Sequence, residues 1–392
     1  MKKNIAVFFG GRSVEHDVSI ITGLQIIDNA DKEKYNTFPV YISRDGEWFC
    51  GEKLRDVQFY KNFNPNDKGV QRVFLSPVPG GREIQYFGKF GVKTYGVIDA
   101  AVLGMHGAHG EDGTLQGLFE LADIPYSSPC VTGSAVGMDK IVMKCAFRGA
   151  GLPVLDAVYF ERHNFQQDSE GTLNKVEESF PYPVFVKPAN LGSSVGISKA
   201  KDREGLKNAL EVAFHYDRRV IVEKSVEDIM EINSAVMGYG DDVTVSLLEQ
   251  PVTWKDFLTF DEKYLRSDGA SKGMTSLSRK IPAPISGEMT QKIIEMSKTV
   301  FTTLDLKGVV RIDYIIDQAA GQVYVNEVNT IPGSLAFYLF EPAGVPFQTL
   351  IDKIIEFAEK QMDDKKKNSF AYDSAILRKA GTGTKGAKIV KK

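Results

Sequence analysis

The chain opens with an unbroken apolar run, Ile5 to Phe9, which stops at Gly10 and Gly11 and gives way to Val18, Ile21, Leu24 and Ile27 at helical spacing. A short, wholly apolar run, a glycine turn and then a 3.6-residue period predict a buried parallel strand feeding a helix. FPVYIS (38–43) and GVIDAAVLGM (96–105) read as two further strands, the second leading through a loop rich in His and Gly to a helix over TLQGLFELADI. Residues 1–128 are therefore expected to form a doubly wound α/β unit. Ligands of such units collect at the carboxyl ends of the strands, where Glu15, His106 and Glu111 fall.

Beyond residue 129 the texture changes. YPVFVKPA reads as a strand, NLGSSVG as a glycine and serine loop, and ISKAK as a second strand, so the loop joins two strands. Asp202 is placed to cap a helix over REGLKNALEVAFH, and RRVIVEKSV (218–226) returns as a strand. Strands follow near EINSAVMG, VTVSLLEQPV, GVVRIDYII and GQVYVNEVN, with amphipathic helices over SGEMTQKIIEMSKTVFTTL and PFQTLIDKIIEFAEKQM. The expected division is 1–128, 129–226, 227–362 and a solvated, flexible tail over 363–392.

Composition narrows the class. The 392 residues correspond to between two and three average domains, and 43% apolar with 25% charged residues is the balance of a soluble protein with real cores. The 48 Lys and Arg against 51 Asp and Glu leave a net charge of −3, without the cationic surface of a nucleic-acid binder. That neutrality is an average: the tail holds nine Lys or Arg against three Asp, and residues 1–362 hold 39 basic against 48 acidic residues. An acidic body that binds an anion must concentrate its positive charge locally. Cys50, Cys130 and Cys145 include no CxxC pair, which argues against a disulfide framework and a thiolate zinc site. No apolar run approaches the ~20 residues that span a bilayer, and the first is too short for a signal-peptide core, so a cytoplasmic protein without membrane association is expected. Gly381 and Gly386 have the outer spacing of a phosphate-binding P-loop, but Ala387 stands where that loop needs lysine.

The richest cluster is VVRIDYII followed by QVYVNEVNTIPGS. Asp313 on one strand and Glu327 and Asn329, two apart on the next, share a face if the strands are regular. Two carboxylates and an amide, all oxygen donors, suit a hard cation such as Mg²⁺; a solvated sheet face has the same composition. Arg311 alternates with Asp313, as an ion pair or as a clamp for an anionic reaction centre, and Gly333 lets a backbone N–H approach a ligand. Together they suggest an oxyanion hole, with an ordinary Pro-Gly turn as the plainer alternative. Gly192 to Gly196, with Lys187 just before, reads either as a phosphate cradle or as a surface hairpin. Lys140 is a second phosphate lysine or an exposed helix residue. Glu15 either accepts a substrate ammonium or stabilises a helix start. His106 and His109 beside Glu111 and Asp112 hint at zinc, against which the glycine-rich loop offers no rigid ligand spacing.

GGRSVEHDVS, HGAHGEDGTLQG, MDK, VKPANLGSSVG, FDEKY, RIDY and NEVNTIPG, in this order, resemble the D-alanine:D-alanine ligases of the ATP-grasp superfamily over about residues 4–361. The resemblance implies an α/β, three-domain ATP-grasp architecture with an N-terminal Rossmann-like domain, ATP and Mg²⁺ (two ions, with Mn²⁺ able to substitute), D-alanine as substrate, a cell-wall dipeptide as product, and a homodimer. It places Mg²⁺ at Asp313, Glu327 and Asn329, the oxyanion at Arg311 and Gly333, and the first ammonium at Glu15, linked to Ser193 and Tyr264. Lys140, Lys187, Ser194, Glu223, Lys224, Val226, Glu231, Asn326 and Glu327 would contact ATP; His106, Lys263, Ser334 and Leu335 would lie at the substrates. The chain departs from the family after Gly333, where Ser334-Leu335-Ala336-Phe337-Tyr338 replaces a Met-Thr that leads to a serine, at Leu258 and at Met230. Tyr264 is the residue typical of ligases that prefer D-alanine to D-lactate.

Overall fold

In the computed structural model the structure describes residues 2–251 and 279–372. The first sheet contains β1 (Lys3–Gly10), β2 (Tyr35–Ile42), β3 (Trp48–Cys50), β4 (Gln71–Leu75), β5 (Glu83–Gly88), β6 (Gly91–Val97) and β7 (Ala100–Leu103) in the order β6-β5-β4-β3-β2-β1-β7. Strand β1 pairs in parallel with β2 and β7, whereas β2 through β6 run antiparallel. The doubly wound pattern thus covers three strands, and an antiparallel run with no counterpart in the sequence reading extends it. Helix α1 (His16–Asn29) lies on β1, and α2 (Thr114–Ala122) follows the His/Gly loop.

Between the sheets run α3 (Val131–Met138) and α4 (Lys140–Gly149), the latter capped by Asp139, whose carboxylate accepts from the Ile141 and Val142 N–H groups. The second sheet comprises β8 (Ala157–Glu161), β9 (Val184–Pro188), β10 (Ser198–Ala200) and β11 (Arg219–Lys224) in the order β10-β9-β11-β8. It is covered by α5 (Arg162–Gln167), α6 (Ser169–Ser179) and α7 (Arg203–Tyr216). Asp202 caps α7 by accepting from the Gly205 N–H, as the sequence predicts.

The third sheet contains β12 (Ile229–Tyr239), β13 (Asp242–Val245), β16 (Gly308–Asp317) and β17 (Gln322–Asn329) in the order β13-β12-β16-β17. The run expected as one strand over 243–252 divides into β13 and β14 (Gln250–Pro251), and β14 pairs with β15 (Arg279–Lys280). Helix α8 (Gly287–Thr303) supplies Ile293, Val300 and Phe301 to this sheet's core. After β17 come a short α9 (Phe337–Phe340) and the final α10 (Phe347–Lys365). Leu350, Ile351, Ile354 and Phe357 of α10 enter the same core as Ile5 to Phe9, so the end of the chain closes the first sheet. The helix runs past residue 362 because Lys365 pairs with Glu120 at 2.9 Å and Asp123 at 3.1 Å. No helix among the described residues is long and apolar enough to cross a membrane.

Candidate active site

The three sheets converge around one polar cleft. On the second sheet Lys187, in β9, donates to Glu223 of β11 at 2.6 Å and reaches Asn326 of β17 at 3.4 Å. Lys144 meets the other Glu223 oxygen at 3.1 Å. Burial would push the Glu223 carboxyl up, yet the two ammonium groups hold it down at about 2. Burial lowers Lys144, with Glu223 opposing, whereas for Lys187 the attraction of Glu223 overcomes burial and raises it. Lys140, buried at the start of α4, donates to the Leu191 carbonyl at 2.8 Å and lies 3.5 Å from Glu327. It is thus no exposed helix residue. Lys144 was not singled out in the sequence; its signal was the i, i+4 spacing from Lys140 on the helix after Met-Asp.

On the third sheet Arg311 forks onto Asp313 through two 2.7 Å bonds, and Asn329 donates to the same carboxylate at 3.1 Å. Asp313 faces Glu327 directly across the antiparallel pair, and Arg311 faces Asn329. The next register pair is Tyr314 with Val325, so Asn326 is the extra residue of a β-bulge. Strict alternation would turn Asn326 away from its neighbour Glu327; the bulge aims Asn326 at Lys187 of the second sheet and Glu327 at Lys140 of α4. Asp313, Glu327 and Asn329 form one all-oxygen donor group on one face, a chemistry that fits a hard divalent cation better than zinc. Among the described residues no cluster of three or more His, Cys, Asp or Glu could hold a metal, and the zinc reading of the histidine loop finds no support.

The first sheet contributes the other wall. Glu15 precedes α1 but its side chain does not cap the helix. Its carboxylate instead accepts from the Ser193 hydroxyl of the Gly/Ser loop, in which Ser193 and Ser194 adopt φ of 53° and 60°. The loop therefore closes onto the first sheet rather than standing off as a surface hairpin. Gly107, at φ 72°, passes so near Glu15 that a Cβ there would lie 2.6 Å from its carboxylate. Glu111 accepts from the Gly107 N–H at 2.8 Å and, with its other oxygen, from the Ile331 N–H at 2.9 Å. Burial, reinforced by Glu15, raises Glu111 to about 8. His106 is buried and bonds the Ile331 carbonyl and Thr22, and burial lowers it to about 4. Gly333 sits in the turn held by these bonds, followed by Ser334, Leu335 and Ala336 in left-handed conformations. Lys224 and Glu231 are exposed, and half-buried Val226 lies between them in the segment joining the second and third sheets. Lys263, Tyr264 and Leu258 lie outside the described residues, as do Gly381, Gly386 and Ala387.

Models of the D-ala D-ala ligase N-terminus and C-terminus match residues 4–129 and 146–356. The chain belongs to the D-alanine–D-alanine ligase family. The D-alanine–D-alanine ligase of Thermosipho melanesiensis is 40% identical over 96% of this chain and 98% of its own length. The VanG D-Ala:D-Ser ligase from Enterococcus faecalis is 31% identical and superimposes with a TM-score of 0.77, covering 91% of this chain and 100% of that one. The D-alanine–D-alanine ligase from Coxiella burnetii is 26% identical with a TM-score of 0.75, covering 93% and 96%. The α/β ATP-grasp fold expected from the sequence is the fold of this chain.

Proposed function

We propose that this protein joins two D-alanines at the expense of ATP, giving D-alanyl-D-alanine for peptidoglycan precursors. One observation supports this above the rest: Lys187 and Lys140 reach from the second sheet and α4 to Asn326 and Glu327, beside the Arg311–Asp313 fork. That juxtaposes cations for a triphosphate with groups suited to a carboxylate under attack.

In this reading the γ-phosphoryl group of ATP passes to the carboxylate of the first D-alanine, giving an acyl phosphate and ADP. The amine of the second D-alanine attacks the acyl carbon, and phosphate leaves. Lys140, Lys187 and Ser194 hold the phosphates, while Lys224, Val226 and Glu231 line the nucleoside end. Glu223 acts on ATP through the lysines that it orients. Asn326 sets Lys187 from the opposite wall. Asp313, Glu327 and Asn329 would hold Mg²⁺, two ions with Mn²⁺ as a substitute, and the metal supplies charge neutralisation at the phosphate oxygens. Arg311 and the Gly333 N–H stabilise the tetrahedral oxyanion, a role worth typically ~10²–10³ in rate for one donor. Glu15, kept in place by Ser193, receives the first ammonium; Tyr264 and Lys263 act at the substrates from outside the described residues. His106, Ser334 and Leu335 shape the acceptor side. Residues 1–128, 129–226 and 227–362 act as the three lobes, in a cytoplasmic homodimer without nucleic-acid partners.

A second reading, D-serine as acceptor, is favoured by the departure after Gly333 together with the 31% identity to a D-Ala:D-Ser ligase. Phosphate release measured with ATP, Mg²⁺, D-alanine and a panel of D-alanine, D-serine and D-lactate acceptors separates the two. Dipeptide with D-alanine as preferred acceptor supports the first reading. Tight ATP binding with no turnover on any pair overturns both and leaves an inert regulator.

A further inference from the structure

Three consecutive residues with side chains, Ser334, Leu335 and Ala336, hold φ of 52°, 51° and 50° immediately after Gly333. Such a run is costly without glycine and persists only where its surroundings enforce it. The enforcing contacts come from the first sheet's lobe, more than two hundred residues away in sequence. The Ser334 N–H donates to the Thr22 hydroxyl at 3.1 Å, and Thr22 meets His106 Nε2 at 2.8 Å. His106 Nδ1 lies 2.8 Å from the Ile331 carbonyl, two residues before Gly333.

Hydrogen-bond bookkeeping fixes the direction of this chain. A carbonyl only accepts, so Nδ1 carries the proton; Nε2 must then accept, and the Thr22 hydroxyl donates to it. The Thr22 oxygen is left to accept the Ser334 N–H. Both ring nitrogens of His106 are thereby committed to structure. Helix α1 reaches this position because it packs at glycine distance: a Cβ on Gly23 would lie 2.4 Å from Phe9, and one on Gly104 2.9 Å from the Gly23 nitrogen. Thr22 is 1% exposed, and its hydroxyl spans the gap between α1 and the turn.

We propose that Thr22 is a positioning residue for the ligation step: oriented by His106, its hydroxyl holds the Ser334 N–H just after Gly333 while His106 holds the Ile331 carbonyl just before it, so the Gly333 N–H is aimed by a backbone pinned on both sides. His106 is a crossbar in this arrangement and not a proton donor. The role rests on the reading of Gly333 as an oxyanion donor.

Thr22→Val keeps the shape and removes the hydroxyl. It should lower kcat for dipeptide formation roughly 10- to 100-fold, since small misplacements of a catalytic group carry costs of this size. KM for ATP should stay close to that of the parent, the thermal midpoint should fall by a few degrees because the buried Ser334 N–H and His106 Nε2 lose their partner, and Thr22→Ser should restore most of kcat. A parental kcat in Thr22→Val, or a loss that only follows the folded fraction, overturns the proposal. Gly333→Pro, which lacks the N–H, separates the two readings. Parental kcat there overturns the oxyanion role and with it the route through Thr22. Loss there beside an unimpaired Thr22→Val overturns the role of Thr22 alone.

Discussion

Glu223 and Glu111 are buried alike beside the cleft, yet their surroundings drive them to opposite charge states. Glu223 has Lys144 and Lys187 on its two oxygens and is held at about 2. Glu111 has neutral donors, the Gly107 and Ile331 N–H groups and the Thr330 hydroxyl, beside a neighbouring Glu15, and is pushed up to about 8. Depth of burial therefore does not set the charge; the partners do. The same division runs along the cleft. A body of net −9 over residues 1–362, from 39 basic and 48 acidic residues, concentrates buried cations at Lys140, Lys144 and Lys187 and buried carboxylates at Glu15 and Glu111.

The sharpest way to break this contrast is to neutralise Glu223. Glu223→Gln leaves two buried lysines without their counter-charge and should destabilise the protein by about 3–5 kcal/mol, read from urea denaturation. Adding Lys144→Met should recover part of that loss by removing one orphaned charge. Equal stability of Glu223→Gln and the parent would end the argument that Glu223 organises the two lysines. Next in size is Arg311→Met, which should lower kcat by about 10²–10³ with KM for ATP little changed. An equal loss through KM alone would make Arg311 a substrate anchor instead.

Much of this contrast was legible in the sequence. The β1–α1 start, the Asp202 cap, the long strands β12, β16 and β17 and the final helix all follow apolar period and capping chemistry. Arg311, Asp313, Glu327 and Asn329 were visible because a period of two brings them to one face. Asn326 joins them only through the bulge, which no residue type marks. Strand β6 was missed because it is exposed on nearly every residue and shows no alternation. Helix α3 buries only Gly133, Ser134 and Gly137, too little apolar surface to signal a helix. Thr22 and the left-handed run after Gly333 left no trace, since both depend on contacts between distant parts of the chain.

The pH-dependent effects concern Glu111, and their sign follows from linkage. Its folded value of about 8 lies above the ordinary 4.5, so between these pH values the folded state binds more protons than the unfolded one. Stability must fall as pH rises from about 4.5 to about 8 through this group. His106, lowered to about 4 from 6.5, acts oppositely: stability is lost as pH falls through that window. The clean reading is therefore the difference between the parent and Glu111→Gln, which should lack the Glu111 slope and gain on the parent steadily up to pH 8. At pH 5 the same substitution should cost about 1 kcal/mol, because an N–H of the introduced amide must face the Gly107 or Ile331 N–H in place of an accepting oxygen. A Glu111→Gln curve parallel to the parent across pH 5–8 would mean that Glu111 is already ionised, and the two buried glutamates would then differ only in their partners.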